Sequence, residues 1–547
     1  MQRILRLPKT TGVTSDEFKV HLQRLYEKMP TMKESLESKR IGIAVSGGAD
    51  SLALAYLASQ AIPLNRLMAF MVDHGLEQRG VTENPSDVSL TLQNLGLKHE
   101  ILSIDWSCTF WDSLTKGKLL EKTRQLRFEA LFKACRRHDI PLLLTGHNLD
   151  DDIVTMFYRM AHLSGIDGLG SMKAAAVFPV ANAAASKFFV GHPLLDIPKA
   201  RLSKTCEHAQ LEPVLDRSNL DLDFRRNSIQ DCIVKIQESN PKITTESLER
   251  VLKNFKRVRE DVHEELVKVF DKSVVVNRVN GDCTLILNDE AWLKRRYLTT
   301  RLLTVLLQYS AAHSYPARTP SITNLYRNLI EAFQVHKEER LAWLNKISSS
   351  TRNSEVLQPF DKTKRVVMKQ HTLGGCTVYS LSRLDAMRRI ALQAKLEGRN
   401  LEYGPAFLIQ REPPHRIKLQ SAGFGATEIT LSPRQPYLWD NRVYLSFDPA
   451  NDQDIAPRRF SVSFMTPGDV KDFEQQTASM RSARRRVYAY LGTTPGTHLY
   501  QIPVIREIGT DYMAFPTLKA DFPIGKYKWK TSYAGTSVLV SRFLCLP

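Results

Sequence analysis

Apolar and polar positions alternate in blocks along the first third of the chain. Short apolar runs occur at Ile41–Val45, Leu67–Val72, Glu100–Ile104 and Pro141–Thr145. Between them, Ser51–Ser59 and Leu119–His138 carry apolar residues every three or four positions, which is typical of helices. Strands that alternate with helices predict an α/β fold with a doubly wound parallel sheet within residues 39–235. Ligands of such sheets bind at the carboxyl ends of the strands.

The pattern changes after this block. Residues 173–190, at its end, are rich in alanine and are predicted to be a loop, and residues 236–345 are charged and have helical spacing. A polar stretch at 346–366 is predicted to be a linker. From 367 to 547 short β-like segments alternate with Pro and Gly, so we expect a C-terminal α+β or β-rich region.

Residues 1–38 are interpreted as an N-terminal arm. Arg3 and Arg6 lie among apolar residues, before the acids Asp16 and Glu17. Arginine-bearing segments that are poor in acids are typical of mitochondrial presequences. The arm therefore predicts a mitochondrial protein, with a plain arm on a cytoplasmic protein as the alternative.

Composition narrows the class of protein. A length of 547 residues corresponds to about three or four domains. The formal net charge of +18 suggests a polyanionic partner. No apolar run reaches the ~18 residues that a membrane-spanning helix needs. The seven cysteines include no C-x-x-C pair, which argues against a zinc ribbon or a cysteine-held iron–sulfur cluster.

A glycine turn follows the first apolar run and precedes a helix. Its residues are Ser46, Gly47, Gly48, Ala49, Asp50 and Ser51. Two glycines let the backbone N–H groups approach an anion, and the helix N-terminus adds partial positive charge. The turn is neither a Walker P-loop nor a G-x-G-x-x-G turn. We interpret it as a nucleotide phosphate site; the alternative is an ordinary turn in which Asp50 caps the helix.

This Ser-Gly-Gly-Ala-Asp-Ser string resembles the PP-loop ATP pyrophosphatases, which split ATP between its α- and β-phosphates. The resemblance implies that the turn binds ATP and that Asp50 holds Mg²⁺. It does not choose among the members of that superfamily, which include small-molecule synthetases, thiolating tRNA enzymes and tRNA(Ile)-lysidine synthase.

Later motifs resemble tRNA(Ile)-lysidine synthases in order and spacing. The run from Val72 to Leu76 is similar to their V-D-H-G-L segment, and the run from Gly146 to Thr155 is similar to G-H-x-x-D-D-Q-x-E-T. Arg124 and Arg127 are similar to an A-R-x-x-R-Y stretch. The run from Asp216 to Ile229 is similar to D-x-S-N-x-D-x-x-F-x-R-N-x-I and is the most discriminating of the four.

The chain also departs from these patterns. Asp152 stands where the family has Gln, and Val154 stands where it has Glu. His192 replaces the Arg of an R-P-L-L segment, and Gln230 replaces a terminal Arg. Asp152 is a candidate replacement carboxylate.

The resemblance implies an ATP-dependent ligase. It adenylates the wobble cytidine of the CAU-anticodon isoleucine tRNA and then joins free lysine to it. The implied catalytic residues are Asp50, His147, Asp150 and Asp151. The implied ATP-binding residues are those of the glycine turn with Asp73, His74, Arg124 and Arg127. The implied lysine or tRNA contacts are Asp152, Arg226, Asn227, Lys526, Lys528 and Lys530.

Two alternatives stay open. Another PP-loop tRNA-modifying enzyme is the first, although thiolating relatives often need paired cysteines. A catalytically impaired RNA-binding relative is the second, and Val154, His192 and Gln230 favour it. The Lys526, Lys528 and Lys530 alternation is also compatible with the exposed face of a strand. The sequence leaves the oligomeric state open, with a homodimer as one expected assembly.

Overall fold

A computed structural model describes most of the chain. The described residues are 11–29, 38–73, 85–104, 106, 116–180, 188–214, 225–277, 281–311, 319–349, 370–397, 401, 404–412, 426–440, 442–451, 456–476, 481–493, 501–523 and 526–533. His74 and much of the predicted linker lie outside them. The chain divides into two compact units, chiefly Met1–His263 and Glu264–Arg542.

The first unit alternates strands with helices. Its helices are α1 (Ser15–Glu27), α2 (Ala49–Ala61), α3 (Pro85–Asn94), α4 (Lys116–Arg137), α5 (Leu149–Ala161), α6 (Ile166–Leu169), α7 (Lys199–His208), α8 (Arg225–Ser239) and α9 (Thr245–Ser273), which continues past the division. Its strands are β1 (Ile41–Ala44), β2 (Leu67–Asp73), β3 (His99–Ser103), β4 (Leu142–Leu144), β5 (Ala175–Val177) and β6 (Phe189–Gly191).

These strands form one sheet in the order β3-β2-β1-β4-β6-β5. All neighbours are parallel except β5, which pairs antiparallel with β6. The predicted parallel sheet is thereby confirmed. Because parallel strands end at the same edge, the end of β2 at Asp73 and the segments that follow β1, β4 and β6 share one edge of the sheet.

The two faces of the sheet are both covered, as the alternation along the strands requires. In β4, Leu142 and Leu144 pack on one face with residues of α1, α2, α3 and α7. Leu143 packs on the other face with Phe128 and Phe132 of α4. Successive strand side chains point to opposite faces, so a continuous apolar run is what a doubly covered strand needs.

Three helices pack together beside the sheet. Val154 and Ile153 of α5 lie in an apolar cluster with Ile233 of α8 and with Leu248 and Leu252 of α9. Val154 is 5% exposed. The position where the resemblance expects a Glu is therefore occupied by a core residue, because a helix-packing face favours an apolar side chain there.

The second unit mixes helices with antiparallel sheets. Its helices are α10 (Glu290–Leu293), α11 (Arg296–Ala311), α12 (Thr319–Ser349), α13 (Arg383–Glu397), α14 (Pro467–Gln476) and α15 (Arg481–Thr493). Its strands are β7 (Val274–Val276), β8 (Cys283–Ile286), β9 (His371–Leu373), β10 (Cys376–Ser380), β11 (Ala406–Arg411), β12 (Thr427–Leu431), β13 (Tyr437–Trp439), β14 (Val443–Pro449), β15 (Arg458–Phe464), β16 (Pro503–Glu507), β17 (Met513–Phe515), β18 (Ala520–Phe522) and β19 (Tyr527–Tyr533). Its sheets have the orders β7-β8-β11-β10-β9, β12-β15-β16-β17-β18 and β13-β14-β19.

The structure differs from the sequence prediction in two stretches. Residues 236–345, predicted to be helical, include β7 and β8, which belong to a sheet with β11 some 120 residues later. Residues 173–190, predicted to be a loop, include β5 and the start of β6. Such three- and four-residue strands carry too few positions for a period to be read. No helix among the described residues is long and apolar enough to cross a bilayer.

Candidate active site

The glycine turn joins β1 to α2 at the carboxyl edge of the sheet. Gly47 has a φ of +86°, and a Cβ there would lie 2.7 Å from Val88 Cγ2, so only glycine fits this position. The Ser46 amide donates to Ser51 Oγ at 3.2 Å, and the Ser51 hydroxyl donates to the Gly48 carbonyl at 2.9 Å. These bonds hold the turn closed around the N-terminus of α2.

A second turn, between β4 and α5, packs against the first. A Cβ on Gly146 would lie 3.0 Å from the Asp50 carbonyl carbon and oxygen and from the Ser51 amide nitrogen. The two backbones can approach this closely because Gly146 has no side chain. The contact brings the residues after Gly146 beside the glycine turn.

Replacing Gly146 by Ala tests this contact. The added methyl group meets backbone atoms that cannot rotate away, so we expect a loss of about 1–3 kcal/mol in the free energy of unfolding. The matched variant is Gly48→Ala, where the nearest atom to the added Cβ is Ser46 Oγ at 3.8 Å and φ is −70°. Thermal unfolding of both variants is the measurement. A Gly146→Ala midpoint equal to that of Gly48→Ala contradicts the close approach.

Asp50 lies in the first turn of α2, and its Oδ1 atom is buried without a hydrogen-bond partner among the described residues. Desolvation raises the pKa of Asp50 to about 6, and the charges of Asp151 and Asp150 add to this effect. The Lys199 charge and the Asn148 amide oppose it. Asn148 Nδ2 is itself buried and has no hydrogen-bond partner among the described residues, so the amide acts on Asp50 as a nearby dipole.

An unpaired, buried carboxylate oxygen beside further acids fits a hard cation. Among the described residues, no three His, Cys, Asp or Glu side chains are grouped to hold a metal ion by themselves. Mg²⁺ usually takes one or two protein carboxylates and completes its shell with water and phosphate oxygens. Asp50 is thus a suitable Mg²⁺ ligand when a nucleotide supplies the others.

The N-terminus of α5 carries the predicted acids Asp150 and Asp151. Asp151 Oδ2 accepts from the Asn148 amide at 3.2 Å, while Asn148 Oδ1 accepts from the Asp151 amide at 3.0 Å, which is a capping box. Arg226 donates to Asp151 Oδ1 at 2.5 Å. Asp150 Oδ2 accepts from the Lys199 amide at 2.7 Å. Since both Asp151 oxygens are engaged, its geometry suits holding α5 and Arg226 in place.

His147 and His192 meet at the tips of neighbouring strands. His147 follows β4 and His192 follows β6, and Leu144 pairs with Gly191 in register. Thr145 Oγ1 lies 2.9 Å from His147 Nδ1 and 2.6 Å from His192 Nδ1. The pKa of each imidazole is lowered to about 3, and burial is the main cause. Both rings are therefore neutral at physiological pH.

Three arginines surround His147 with positive charge. Burial is the largest cause of the lowered His147 pKa, and the charges of Arg226, Arg127 and Arg124 lower it further. Desolvation and the charges of Arg226 and Arg159 lower the pKa of Arg124 in turn. Positive charges gathered at this edge of the sheet favour an anionic ligand such as a phosphate.

Asp152 does not face the open site. It is 0% exposed, and its Oδ2 lies 2.6 Å from Lys256 Nζ of α9. Its Oδ1 accepts from the Met172 amide at 2.8 Å. The geometry argues against the predicted contact with lysine or tRNA, because the carboxylate is enclosed and already paired with a cation.

The remaining predicted residues lie in several places. Asp73 ends β2 at the same sheet edge and is partly buried, and Asn227 is partly buried beside Arg226 in α8. In the second unit, Lys526 pairs with the buried Glu507, and Lys530 Nζ lies 2.6 Å from Asp448 in the strand that pairs with β19. Only Lys528 and Lys530 of the three lysines are exposed.

Sequence reasoning assigned no role to Thr145 or to His192. Thr145 ends an apolar run directly before Gly146, and His192 follows a strand that the alanine-rich stretch concealed. The one signal in the sequence was that His192 stands where the family has Arg. The sequence did not show that His192 contacts Thr145 and His147. Asn148, which caps α5, was also missed, although Asn before three acids is a usual N-cap pattern.

Comparison with known families agrees with this geometry. Residues 15–237 match the family described as the PP-loop domain. The first unit is therefore similar to a PP-loop domain. The match covers the glycine turn, the β4–α5 turn and most of α8, so it includes the sheet edge described above.

Several relatives named tRNA(Ile)-lysidine synthase are similar to this chain. The protein of Wolbachia pipientis wMel is 26% identical over 297 residues, which cover 54% of this chain and 65% of that protein. That of Novosphingobium aromaticivorans is 33% identical over 37% of this chain and 59% of that protein. The match therefore spans less than two thirds of either bacterial relative. A fission yeast protein named probable tRNA(Ile)-lysidine synthase is 21% identical over 513 residues, or 92% of this chain and 96% of its own length.

Proposed function

We propose that the chain is an ATP-dependent ligase that modifies a tRNA, and specifically one that adenylates the wobble cytidine of the CAU-anticodon isoleucine tRNA and joins lysine to it. The observation that carries the proposal is the contact between the PP-loop turn and the β4–α5 turn at Gly146. It brings Asp50, the capped acids of α5 and a neutral His147 to one edge of the sheet. The names of the relatives supply the substrate class.

The chain's own groups have separate tasks in this reaction. The open backbone at Gly48 and the hydroxyl of Ser46 accommodate the β- and γ-phosphates of ATP. Arg124 and Arg127 attract the phosphates of ATP or RNA. The cytidine carbonyl oxygen attacks the α-phosphorus, and pyrophosphate departs. The lysine amine then attacks the ring carbon, and AMP departs with the oxygen.

Asp50 is the residue that would hold Mg²⁺. When bound there, the ion would neutralise the charge that develops on the departing pyrophosphate. Asp150 and Asp151 lie beside Asp50. The Lys199 amide holds the Asp150 carboxylate, and the capping box and Arg226 hold the Asp151 carboxylate.

A half-reaction assay tests the function. The full chain is incubated with ATP, Mg²⁺ and the CAU-anticodon tRNA, and pyrophosphate release is followed; lysine is then added, and AMP release and nucleoside mass are followed. We expect tRNA-dependent pyrophosphate release, lysine-dependent AMP release and a mass gain matching lysidine. AMP release without lysine incorporation indicates another PP-loop tRNA-modifying enzyme. Binding of tRNA with neither release indicates an impaired relative.

The exposed lysines of β19 offer a separate test of tRNA binding. Lys528 and Lys530 project to solvent along a strand whose Tyr527 is buried and whose Trp529 donates to Tyr512 Oη at 2.8 Å. If both ammonium groups contact phosphates, changing both to Ala weakens binding and lowers the salt slope by up to about 2. Filter binding across a range of salt concentrations measures the slope.

Lys526→Ala is the matched control for the exposed pair. Its ammonium pairs with Glu507, which is 7% exposed and also accepts from the Tyr527 hydroxyl at 2.6 Å. We expect this variant to lose stability and to keep its salt slope, because a buried acid is left without its cation. An unchanged slope in the Lys528 and Lys530 double variant removes that face from the tRNA interface.

A further inference from the structure

The pair of imidazoles at the tips of β4 and β6 is bridged by one hydroxyl group. Thr145 Oγ1 is within hydrogen-bond distance of both Nδ1 atoms, and the two Nδ1 atoms are 3.3 Å apart. Thr145 is 7% exposed, and the rings pack edge to face with centroids 4.9 Å apart. Neither Nε2 atom makes a hydrogen bond within the part of the chain that the structure describes.

The protons in this bridge can be counted. A threonine hydroxyl has one proton, so it donates to only one Nδ1 atom and accepts from the other. Two unprotonated Nδ1 atoms would place two lone pairs 3.3 Å apart with one proton between them. The arrangement therefore favours opposite tautomers. One ring carries Nδ1–H and an Nε2 lone pair, and the other carries Nε2–H and an Nδ1 lone pair.

We propose that His147, Thr145 and His192 form a proton relay that removes the proton of the attacking amine, an inference that rests on the proposed function. As the C–N bond forms and AMP leaves with the electrons of the C–O bond, His147 Nε2 takes the amine proton. The Nδ1 proton of His147 passes to Thr145 Oγ1, and the Thr145 proton passes to His192 Nδ1. The Nε2 proton of His192 passes to solvent.

The charges around the bridge explain why a relay suits this place. The charges of Arg124, Arg127 and Arg226 lower the pKa of His147. The carboxylates of Asp152 and Asp151 act in the opposite direction on His192 and raise its pKa. A positive imidazolium beside three arginines is unfavourable, and each ring pKa is lowered to about 3, first by burial. A concerted transfer leaves both rings neutral. Proton exchange with solvent restores the starting tautomers between turnovers.

Two substitutions at Thr145 separate the hydroxyl from the shape of the side chain. Thr145→Val keeps the branched shape and removes the proton, and Thr145→Ser keeps the hydroxyl. With adenylated tRNA formed first, we expect Thr145→Val to slow lysine-dependent AMP release by about 10²-fold, at the lower end of general acid–base effects. Thr145→Ser should stay within about threefold of wild type, and pyrophosphate release should change little in either variant.

The relay is overturned if Thr145→Val releases AMP as fast as Thr145→Ser, or if the rates of both half-reactions of Thr145→Val fall together.

A wild-type measurement covers the case in which Thr145→Val does not fold. The AMP-release rate is measured in mixtures of H₂O and D₂O. A curved dependence on deuterium fraction supports several protons in flight, and a straight line overturns the relay. Absence of lysine-dependent AMP release from wild type refutes the proposed function itself and is seen before any variant is compared.

Discussion

Replacing Asp50 by Asn is expected to slow tRNA-dependent pyrophosphate release by about 10²–10³-fold while tRNA binding is kept. The amide has nearly the same shape, but it removes the negative charge from the buried Oδ1 position, which has no partner among the described residues. Loss of several kcal/mol of charge stabilisation on the departing phosphates corresponds to this range. The measurement is single-turnover pyrophosphate release, with filter binding of tRNA in parallel.

Asp16→Asn is the control for this substitution. Asp16 is the second residue of α1, as Asp50 is of α2, but its side chain is 91% exposed and pairs with Lys19 at the surface. We expect pyrophosphate release by this variant to match that of wild type. The N-cap of α2 is Gly48 and no side chain caps it, so near-normal release by Asp50→Asn would mean that the Asp50 charge only favours the helix N-terminus. The proposed Mg²⁺ site would then have to be placed elsewhere.

Because the pKa of Asp50 is raised, we also expect the rate of pyrophosphate release by the wild-type protein to depend on pH. Because the pKa is about 6 and above its ordinary value, the carboxyl protonates as the pH falls through 6, and pyrophosphate release falls with it. The same shift disfavours folding at higher pH, since the stability contributed by the neutral form is lost as the pH rises through about 6. Raising the Mg²⁺ concentration should move the activity midpoint to lower pH, because metal and proton compete for one oxygen.

The local sequence pattern was enough to predict which edge of the sheet carries the candidate active site. The glycine turn and the residues that follow β2 and β4 are each contiguous in sequence, and parallel strands bring their carboxyl ends together. Asp50, His147 and Asp150 could therefore be grouped before the structure was known. Gly146 could be quoted from a motif, but its close contact with the Asp50 backbone depends on how two turns pack.

The roles that sequence could not give depend on partners far along the chain. The sequence predicts a substrate contact at Asp152, yet in the structure this carboxylate pairs with Lys256, about 100 residues later on another helix. The spacing groups Lys526 with Lys528 and Lys530, whereas the structure pairs Lys526 with the buried Glu507 and leaves the other two lysines exposed. The strands β7 and β8 were missed because a three- or four-residue apolar run is ambiguous until its distant partner β11 is known.

Replacing Asp152 by Ala is expected to cost about 3–5 kcal/mol of stability, because one member of a buried ion pair is removed. Lys256, whose side chain is 20% exposed, would keep its charge without its carboxylate, and the Met172 amide would lose its acceptor. Arg159 and Arg259 each donate to the Ser171 carbonyl at 2.9 Å, so the segment beside α5 would hold further positive charge with less compensation. A fall of about 10 °C in the thermal midpoint of the first unit corresponds to this cost.

Removing both partners separates the ion pair from the shape of the core. In Asp152→Ala combined with Lys256→Met, no unpaired charge remains, and we expect part of the lost stability to return, since buried pairs are often replaceable by apolar residues. Asp16→Ala breaks a surface pair of 2.9 Å and should cost under about 1 kcal/mol. Equal losses for Asp152→Ala and Asp16→Ala would contradict the buried pairing. Hydrogen exchange at α5 and Met172 shows where the loss occurs, because an Asp152 carboxylate that fastens this segment must protect those amides from solvent.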